Sequence, residues 1–226
     1  MDIVVAQDFP KDDYLGVEQH ISEYLSRPGK DAGTVPGFPG YAGGWNALVM
    51  RFRAADEDKS VASSSLARPQ GSLSAEDRYV QERALFGFFA NAMSAVESCC
   101  FAIYHLGRMK VPTQFGLPDD KITVGTATVA TRTWMPHTQL DAELSKLRGD
   151  STWLSIKGLR NTLVHRESPG ITIYVGMAGG APPRPAEWTG RGVSLEPLLV
   201  EGPRAWLGDV IGNLVRATLD FVRNNF

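Results

Sequence analysis

Cysteine is scarce in this chain of 226 residues, and its two cysteines, Cys99 and Cys100, are sequence neighbours. Adjacent residues of a helix point their side chains in different directions, so these two thiols cannot form an unstrained disulfide with each other. No Cys-x-x-Cys pair and no histidine at ligand spacing accompanies them, which excludes the usual cysteine-based metal and redox sites. We therefore expect two buried, reduced cysteines in a cytoplasmic protein.

The chain also lacks a dominant charge and an uninterrupted apolar run. Its 23 basic residues nearly balance 25 acidic ones, giving a net charge of -2, so the whole molecule has no attraction for phosphate backbones or anionic membranes. The N-terminal residues do not show the basic, apolar and small-residue order of a secretory signal. The most apolar stretch, 84–106, contains Asn91, Ser94, Glu97 and Ser98, which are costly against lipid. We expect a core helix there and no membrane segment.

Several motifs that would identify an enzyme class are missing. The four histidines never occur as His-x3-His or His-Glu-x2-His, the spacings that place two metal ligands on one helical face. Gly-x4-Gly-Lys-Ser/Thr and Gly-x-Ser-x-Gly are also absent, which removes the phosphate-loop and serine-hydrolase interpretations. We therefore predict neither a metal nor a cofactor.

Helical periodicity dominates the sequence, and 43% hydrophobic residues suffice for a sizeable core. Ser74 to Asp77 fit a capping box, which predicts a long helix that ends at Gly107. Thr138 is a further candidate helix cap, as is either Asp150 or Ser151, and Pro203 is expected to open the last helix. The predicted helices span about residues 12–26, 45–55, 74–106, 138–147, 150–166 and 203–223.

Other segments lack the helical period. The segment 28–44 is rich in glycine and proline, which favour turns. A polar run at 56–71 is predicted to be a mobile loop. Threonine and β-branched residues at 121–133 favour extended chain. Two extended stretches, 171–177 and 188–195, flank a glycine-proline loop at 178–185 and indicate a small hairpin.

The expected architecture is mainly α, a single domain over residues 1–226. We predict an N-terminal elaboration of short helices and loops at 1–73. A helical bundle follows at 74–226, and it carries the hairpin at about 171–195 as an insertion. The last helix should complete the bundle with the two helices before it.

The helix predicted at 150–166 has two distinct faces. At about 100° per residue, one face holds Leu154, Gly158, Asn161 and His165, and another, facing the core, holds Ile156, Leu159 and Leu163. A glycine inside a helix costs about 1 kcal/mol relative to alanine. Gly158 is therefore explained if a second helix, such as one from a second subunit, approaches closely there.

The same helix carries a cluster that suits phosphodiester chemistry. Asn161 and His165 are one turn apart, and the long stem of Arg160 can bring its guanidinium to the same cleft. Arginine offers a charged fork for phosphate oxygens, histidine moves protons near neutral pH, and asparagine can orient either group. RNA supplies its own nucleophile, the 2′-hydroxyl.

This arrangement, Arg-polar-x-x-x-His near the end of a bundle helix, resembles the signature of HEPN domains. The resemblance implies a helical bundle, a homodimer in which the two motif helices meet, and a metal-independent ribonuclease that uses Arg160, Asn161 and His165. It also implies that an earlier long helix contributes a serine and an acidic residue, for which Ser94 and Glu97 are the candidates. RNA and an antitoxin or other regulatory protein are the partners that it suggests.

Plainer interpretations remain open for each of these residues. His165 is equally explained as a helix-end histidine that interacts with the helix dipole. Arg160 and Glu97 could form an ion pair that holds two packed helices in register, and Ser94 could simply allow close packing. The competing hypothesis is thus a non-catalytic helical module that dimerises or binds a partner through the Gly158 face. A third is a site for a nucleotide or another small phosphorylated ligand.

Overall fold

The computed structural model describes residues 6–165, 170–174 and 185–226, with only the backbone of residues 164 and 165. This part of the chain is mainly helical, as the sequence predicts. Its helices are α1 (Lys11–Leu25), α2 (Phe38–Leu66), α3 (Ala75–Lys110), α4 (Val124–Trp134), α5 (Gln139–Gly149), α6 (Ser151–His165) and α7 (Leu198–Asn225). Three short strands, β1 (Ile171–Thr172), β2 (Glu187–Trp188) and β3 (Val193–Ser194), form one sheet in the order β1-β2-β3.

Helix α3 is the central helix of the fold. Its predicted capping box is confirmed, because the Ser74 hydroxyl accepts from the Asp77 amide at 3.1 Å and the Asp77 carboxylate accepts from the Ser74 amide. The prediction that the helix ends at Gly107 is wrong, since α3 continues to Lys110. A Cβ at position 107 would lie 2.5 Å from the ring of Phe115, so this glycine permits close packing rather than helix termination.

Helix α2 replaces two predicted loops. The turn-rich segment at 28–44 is helical from residue 38, and the polar run at 56–71 continues the same helix to residue 66 before a 3₁₀ turn, Gln70–Ser72. Several of its polar side chains form hydrogen bonds: Ser60 and Ser64 donate to carbonyls one turn earlier, and Asp58 accepts from Asn91 of α3 at 2.9 Å. Contact with α3 therefore overrides a composition that favours loops.

Close approach between α2 and α3 depends on glycine. A Cβ at Gly40 would lie 2.4 Å from the buried ring of His105, and one at Gly44 would lie 3.0 Å from the backbone nitrogen of Ala102. Gly37, which precedes α2, has a φ of 88° and is also tight against α3. These glycines let the two backbones meet where any side chain would separate them.

The extended chain predicted at 121–133 is also wrong, because this segment forms α4. Thr123 and Thr126 make a reciprocal capping box. The hydroxyls of Thr128 and Thr133 donate to helix carbonyls four residues earlier, at 2.7 and 2.8 Å. Threonine is therefore accommodated in a helix that buries one face against α3 and α5.

The next two helices begin as the sequence predicts. Thr138 accepts from the amide of Asp141, and the carboxylate of Asp150 accepts from the amide of Trp153 at 2.9 Å. Helix α5 includes Gly149 rather than stopping before it. Helix α6 is helical through residue 165; its predicted last residue, Arg166, lies outside the described residues.

The predicted hairpin is part of a three-stranded sheet. Strand β1 pairs antiparallel with β2, aligning Ile171 with Trp188, and β2 pairs antiparallel with β3, aligning Trp188 with Val193. The extended stretch predicted at 188–195 thus contains a turn, where Gly190 and Gly192 take positive φ values. Most of the loop predicted at 178–185 and the end of the first predicted strand lie outside the described residues.

Helix α7 starts five residues before the predicted start and contains Pro203 within it. It packs mainly against α1 and α5, with further contacts to α2 and α3, and it touches α6 only slightly. Near its start the buried guanidinium of Arg204 donates to both oxygens of Asp8, at 2.6 and 2.8 Å, and to Asp56 at 2.9 Å. The same guanidinium lies 4.4 Å from the centre of the Phe52 ring. This cluster joins the N-terminal segment, α2 and α7.

One hydrophobic cluster runs through the described residues. It includes Trp45 and Phe52 from the predicted N-terminal elaboration together with Phe88 and Ile103 of α3. The expectation of only short helices before residue 74 is wrong, since α2 has 29 residues. The N-terminal part therefore contributes a long helix to the same core as the rest of the bundle.

Helix α3 is long enough and apolar enough, by composition alone, to cross a membrane. However, 56% of its most apolar window is buried inside the protein. The sequence prediction of a core helix at 84–106 agrees with this burial.

Replacing Gly40 with alanine should destabilise the protein by about 1–3 kcal/mol, because the new methyl would overlap the buried His105 ring. Gly43 is the matched control, since it lies exposed on the same helix and a Cβ there would meet nothing within 4 Å. Gly43→Ala should stabilise the protein by up to about 1 kcal/mol. Urea unfolding measures both, and equal free energies of unfolding would contradict the close contact.

Candidate functional site

The candidate site lies where α6 packs against α3. The two predicted faces of α6 are present: Ile156 is buried, and Leu159 and Leu163 pack against the core. Arg160 and Asn161 are half-buried beside this apolar face. Both polar side chains are thus partly exposed to solvent, on a helix that packs against α3.

Arg160 and Asn161 contact each other directly. Arg160 Nη1 donates to Asn161 Oδ1 over 3.1 Å. The amide oxygen accepts from the guanidinium, so Asn161 restricts where that group can point. The sequence leaves open whether the asparagine orients the arginine or the histidine; the contact with Arg160 is present, and the side chain of His165 lies outside the described residues.

Glu97 of α3 belongs to the same electrostatic environment. It is half-buried, and burial raises the pKa of its carboxyl, although attraction to Arg160 and Lys157 acts in the opposite direction. Among the described residues, Glu97 makes no ion pair within 4.0 Å. The two helices are therefore not held together by a contact ion pair between Glu97 and Arg160.

Two further residues complete the predicted set. Ser94 is half-buried on α3, three residues before Glu97 and so about one turn away. His165 is the last residue of α6, one turn after Asn161, but its side chain lies outside the described residues. The convergence of imidazole and guanidinium on one pocket therefore stays a prediction.

The remaining face of α6 is open. Leu154 is 55% exposed, and a Cβ added at Gly158 would meet no described atom within 4 Å. No other described segment of this chain therefore explains Gly158 by close approach of its backbone. From the sequence we expect a second helix to lie close to Gly158. A helix from a second subunit stays a prediction.

Sequence reasoning missed Lys157 as a contributor. It is exposed on α6, and its charge acts on Glu97 together with that of Arg160. Its spacing from Arg160 could have identified it, because residues that are three apart on a helix are neighbours on its surface. Lys157 adds a second positive charge to a site in a protein whose net charge is -2.

Potential metal ligands are not clustered in the part of the chain that the structure describes. There, no group of three or more histidine, cysteine, aspartate or glutamate side chains is arranged to hold a metal ion. Cys99 and Cys100 are buried free thiols, and burial raises the pKa of each of them. Both cysteines therefore act as core residues.

Comparison of the chain with protein-family models, with curated proteins and with solved structures gives no match. The case for a function therefore depends on the residues of α3 and α6 themselves.

Glu97→Gln should change the pH dependence of stability. A carboxyl whose pKa is raised by folding stabilises the native state most below its unfolded pKa, and this contribution is lost as pH rises through the folded pKa. The variant lacks this loss, so its stability relative to wild type should rise as the pH increases from about 4, the ordinary pKa of a glutamate, toward neutrality. Thermal unfolding across this range measures the difference, with Glu76→Gln at an exposed position of the same helix as the control. A variant that becomes less stable than wild type as pH rises would instead show that the charged carboxylate supports the fold.

Proposed function

We propose that this protein is a HEPN-like helical protein of the cytoplasm that acts as a homodimeric, metal-independent endoribonuclease. The observation that carries the proposal is the Arg160–Asn161 contact near the end of α6, where the charge of Arg160 also acts on the half-buried Glu97 of α3. His165 follows one turn later on the same helix. These are the residue types and the spacing that resemble the HEPN motif.

The chemistry follows from what each group can do. The 2′-hydroxyl of RNA attacks the adjacent phosphorus, its proton passes to a base, and the 5′-oxygen of the next nucleotide leaves with a proton from an acid. The imidazole of His165 suits either proton transfer, because histidine titrates near neutral pH. Arg160 stabilises the extra negative charge on the phosphorane, and Asn161 orients the guanidinium.

A dimer would improve this mechanism. A single imidazole serves as base or acid at one moment, whereas two copies of His165 facing one groove supply both. The uncovered Leu154 and Gly158 lie on the same face of α6 on which the sequence places Asn161 and His165. Pairing two α6 helices there would bring two Arg-Asn-His sets together around one RNA strand.

Purified protein should cleave RNA in the presence of a chelator, and Arg160→Ala and His165→Ala should each reduce the rate by about 10²–10⁴-fold. Fluorescence from a quenched RNA oligonucleotide measures the rate. Arg148→Ala removes an exposed arginine from α5 and is the matched control. Equal cleavage by wild type and all three variants would assign the activity to a contaminant and end the proposal.

A second candidate is a non-catalytic module that dimerises or binds a regulatory protein. The observation that favours it is again the open face, since a large apolar side chain, Leu154, is 55% exposed beside a glycine with nothing near its Cβ. In this alternative the polar cluster has only a structural role. No cleavage by pure protein, with loss of thermal stability in Arg160→Ala, would support it over the enzyme.

Dimerisation through this face has its own test. Gly158→Gln should leave the protomer folded, because the position is open, but should shift it from dimer to monomer by placing a long side chain in the interface. Light scattering after size exclusion measures the mass. Gly43→Gln, at an equally open helical glycine of α2, should remain dimeric. An unchanged mass in Gly158→Gln would place any dimer contact elsewhere.

A further inference from the structure

A row of exposed and half-buried side chains runs along α3 to the candidate site. These side chains form the α3 stripe, which consists, in order, of Tyr79, Arg83, Phe86, Ala90, Ser94 and Glu97. At about 100° per residue, the six positions lie within roughly 80° of one another. The stripe extends about 27 Å at about 1.5 Å per residue. It ends at the carboxyl on which the charges of Lys157 and Arg160 act.

Two large aromatic side chains of the α3 stripe are open to solvent. Tyr79 is 61% exposed and Phe86 is 43% exposed, and they lie about two turns apart on the same face of the helix. Covering such rings is favourable, so two of them on one open face point to a surface that contacts a ligand. The face of an aromatic ring is a platform on which any nucleic-acid base can stack.

A positive charge lies between the two rings. The side chain of Arg83 is exposed, and among the described residues it makes no ion pair within 4.0 Å. Its charge acts on the half-buried Asp58 of α2 only at longer range. Glu76 precedes the stripe and Glu97 ends it, so Arg83 supplies the cation within it. Arginine matches phosphate oxygens, and alternation of positive charge with aromatic rings is typical of surfaces that bind a single strand.

Helices α2 and α6 flank the α3 stripe. Both pack against α3, but they scarcely contact each other in the described part of the chain. At the edge formed by α2, the exposed Arg51 donates to Asn91 of α3 over 3.2 Å and places a second guanidinium beside the stripe. At the other edge, α6 contributes Lys157 and Arg160, whose charges act on Glu97. The stripe is therefore continuous with the candidate site and has positive charge on both sides.

We propose that the α3 stripe binds the unpaired RNA strand that leads to the scissile phosphate. Bases stack on Tyr79 and Phe86, and Arg83 holds a phosphate between them. This inference rests on the proposed function and names its substrate as single-stranded RNA, long enough to cover the distance of about 17 Å along α3 from Phe86 to Glu97. Bases of a duplex are stacked on one another and cannot reach the rings, so paired RNA does not fit.

A fluorescent 2′-O-methyl oligoadenosine of about ten nucleotides is the probe. It lacks the 2′-hydroxyl nucleophile, so it separates binding from cleavage. Fluorescence anisotropy gives its Kd. Phe86→Ala and Tyr79→Ala should each weaken binding by about fivefold to 100-fold, whereas Phe86→Tyr retains a ring and should stay within about twofold of wild type. A duplex of the same length should bind at least about fivefold more weakly than the single strand.

The phosphate contact has a separate readout. Arg83→Gln should lower the slope of log Kd against log salt concentration by about 0.7, the value for one phosphate contact on a single strand. Two exposed residues outside the stripe are matched controls, Trp134 of α4, which is 45% exposed, and Arg148 of α5. Trp134→Ala should keep the Kd of wild type, and Arg148→Gln should keep its salt slope.

The outcomes separate this inference from the proposed function. Unchanged affinity in Phe86→Ala and an unchanged slope in Arg83→Gln, in a protein that cleaves RNA, would refute the stripe alone. Weaker binding by these variants, in a protein that does not cleave RNA, would support the stripe and refute the nuclease. No binding of the probe by wild type would count against both. A changed mass on size exclusion in Phe86→Ala, with unchanged affinity for the probe, would make the stripe a protein interface and overturn the inference.

Discussion

The contact between α2 and α3 is the constraint on which the rest of the structure depends. Gly40 and Gly44 let the start of α2 touch α3, where a Cβ at Gly40 would lie 2.4 Å from the His105 ring. At the other end Asp58 reaches α3, where it accepts from Asn91 and lies so close to Gly87 that a Cβ there would be 2.4 Å away. With one side of α3 covered in this way, its other sides are available to α4, α6 and α7. The position of the candidate site follows from that arrangement.

The charges of two side chains that are at least half-buried are compensated to different degrees. Arg204 is buried, but it donates hydrogen bonds to the carboxylates of Asp8 and Asp56 and lies over the ring of Phe52. Its charge is therefore compensated. Glu97 is half-buried without a contact ion pair among the described residues, and burial raises its pKa despite the attraction of Arg160 and Lys157. Groups whose pKa is perturbed in this way concentrate at functional sites, although structural charge networks produce them too. The Arg204 cluster is therefore interpreted as a structural contact, and the chemistry that we propose is placed at the α3–α6 contact.

Sequence reasoning succeeded where a local contact within a few residues determines the structure. The caps at Ser74, Thr138 and Asp150 all start helices as expected, because each depends on a hydrogen bond to an amide three residues later. It failed at 38–44, 56–66 and 124–133, where glycine, polar and threonine-rich composition favours turns or strands in an isolated chain. There the packing surface of α3 decides the conformation, and that surface comes from residues far away in the sequence.

The sequence by itself determined the helical class, the helix α6 and the order of Arg160, Asn161 and His165 along it, because helical spacing places these residues on neighbouring turns without any knowledge of the fold. Only the tertiary structure decided that Glu97 lies within the field of Arg160 and Lys157 and that the described part of this chain leaves the face around Gly158 open. Each of these facts depends on which helices meet. That choice is made by the fit of whole surfaces, to which residues distant in the sequence contribute together.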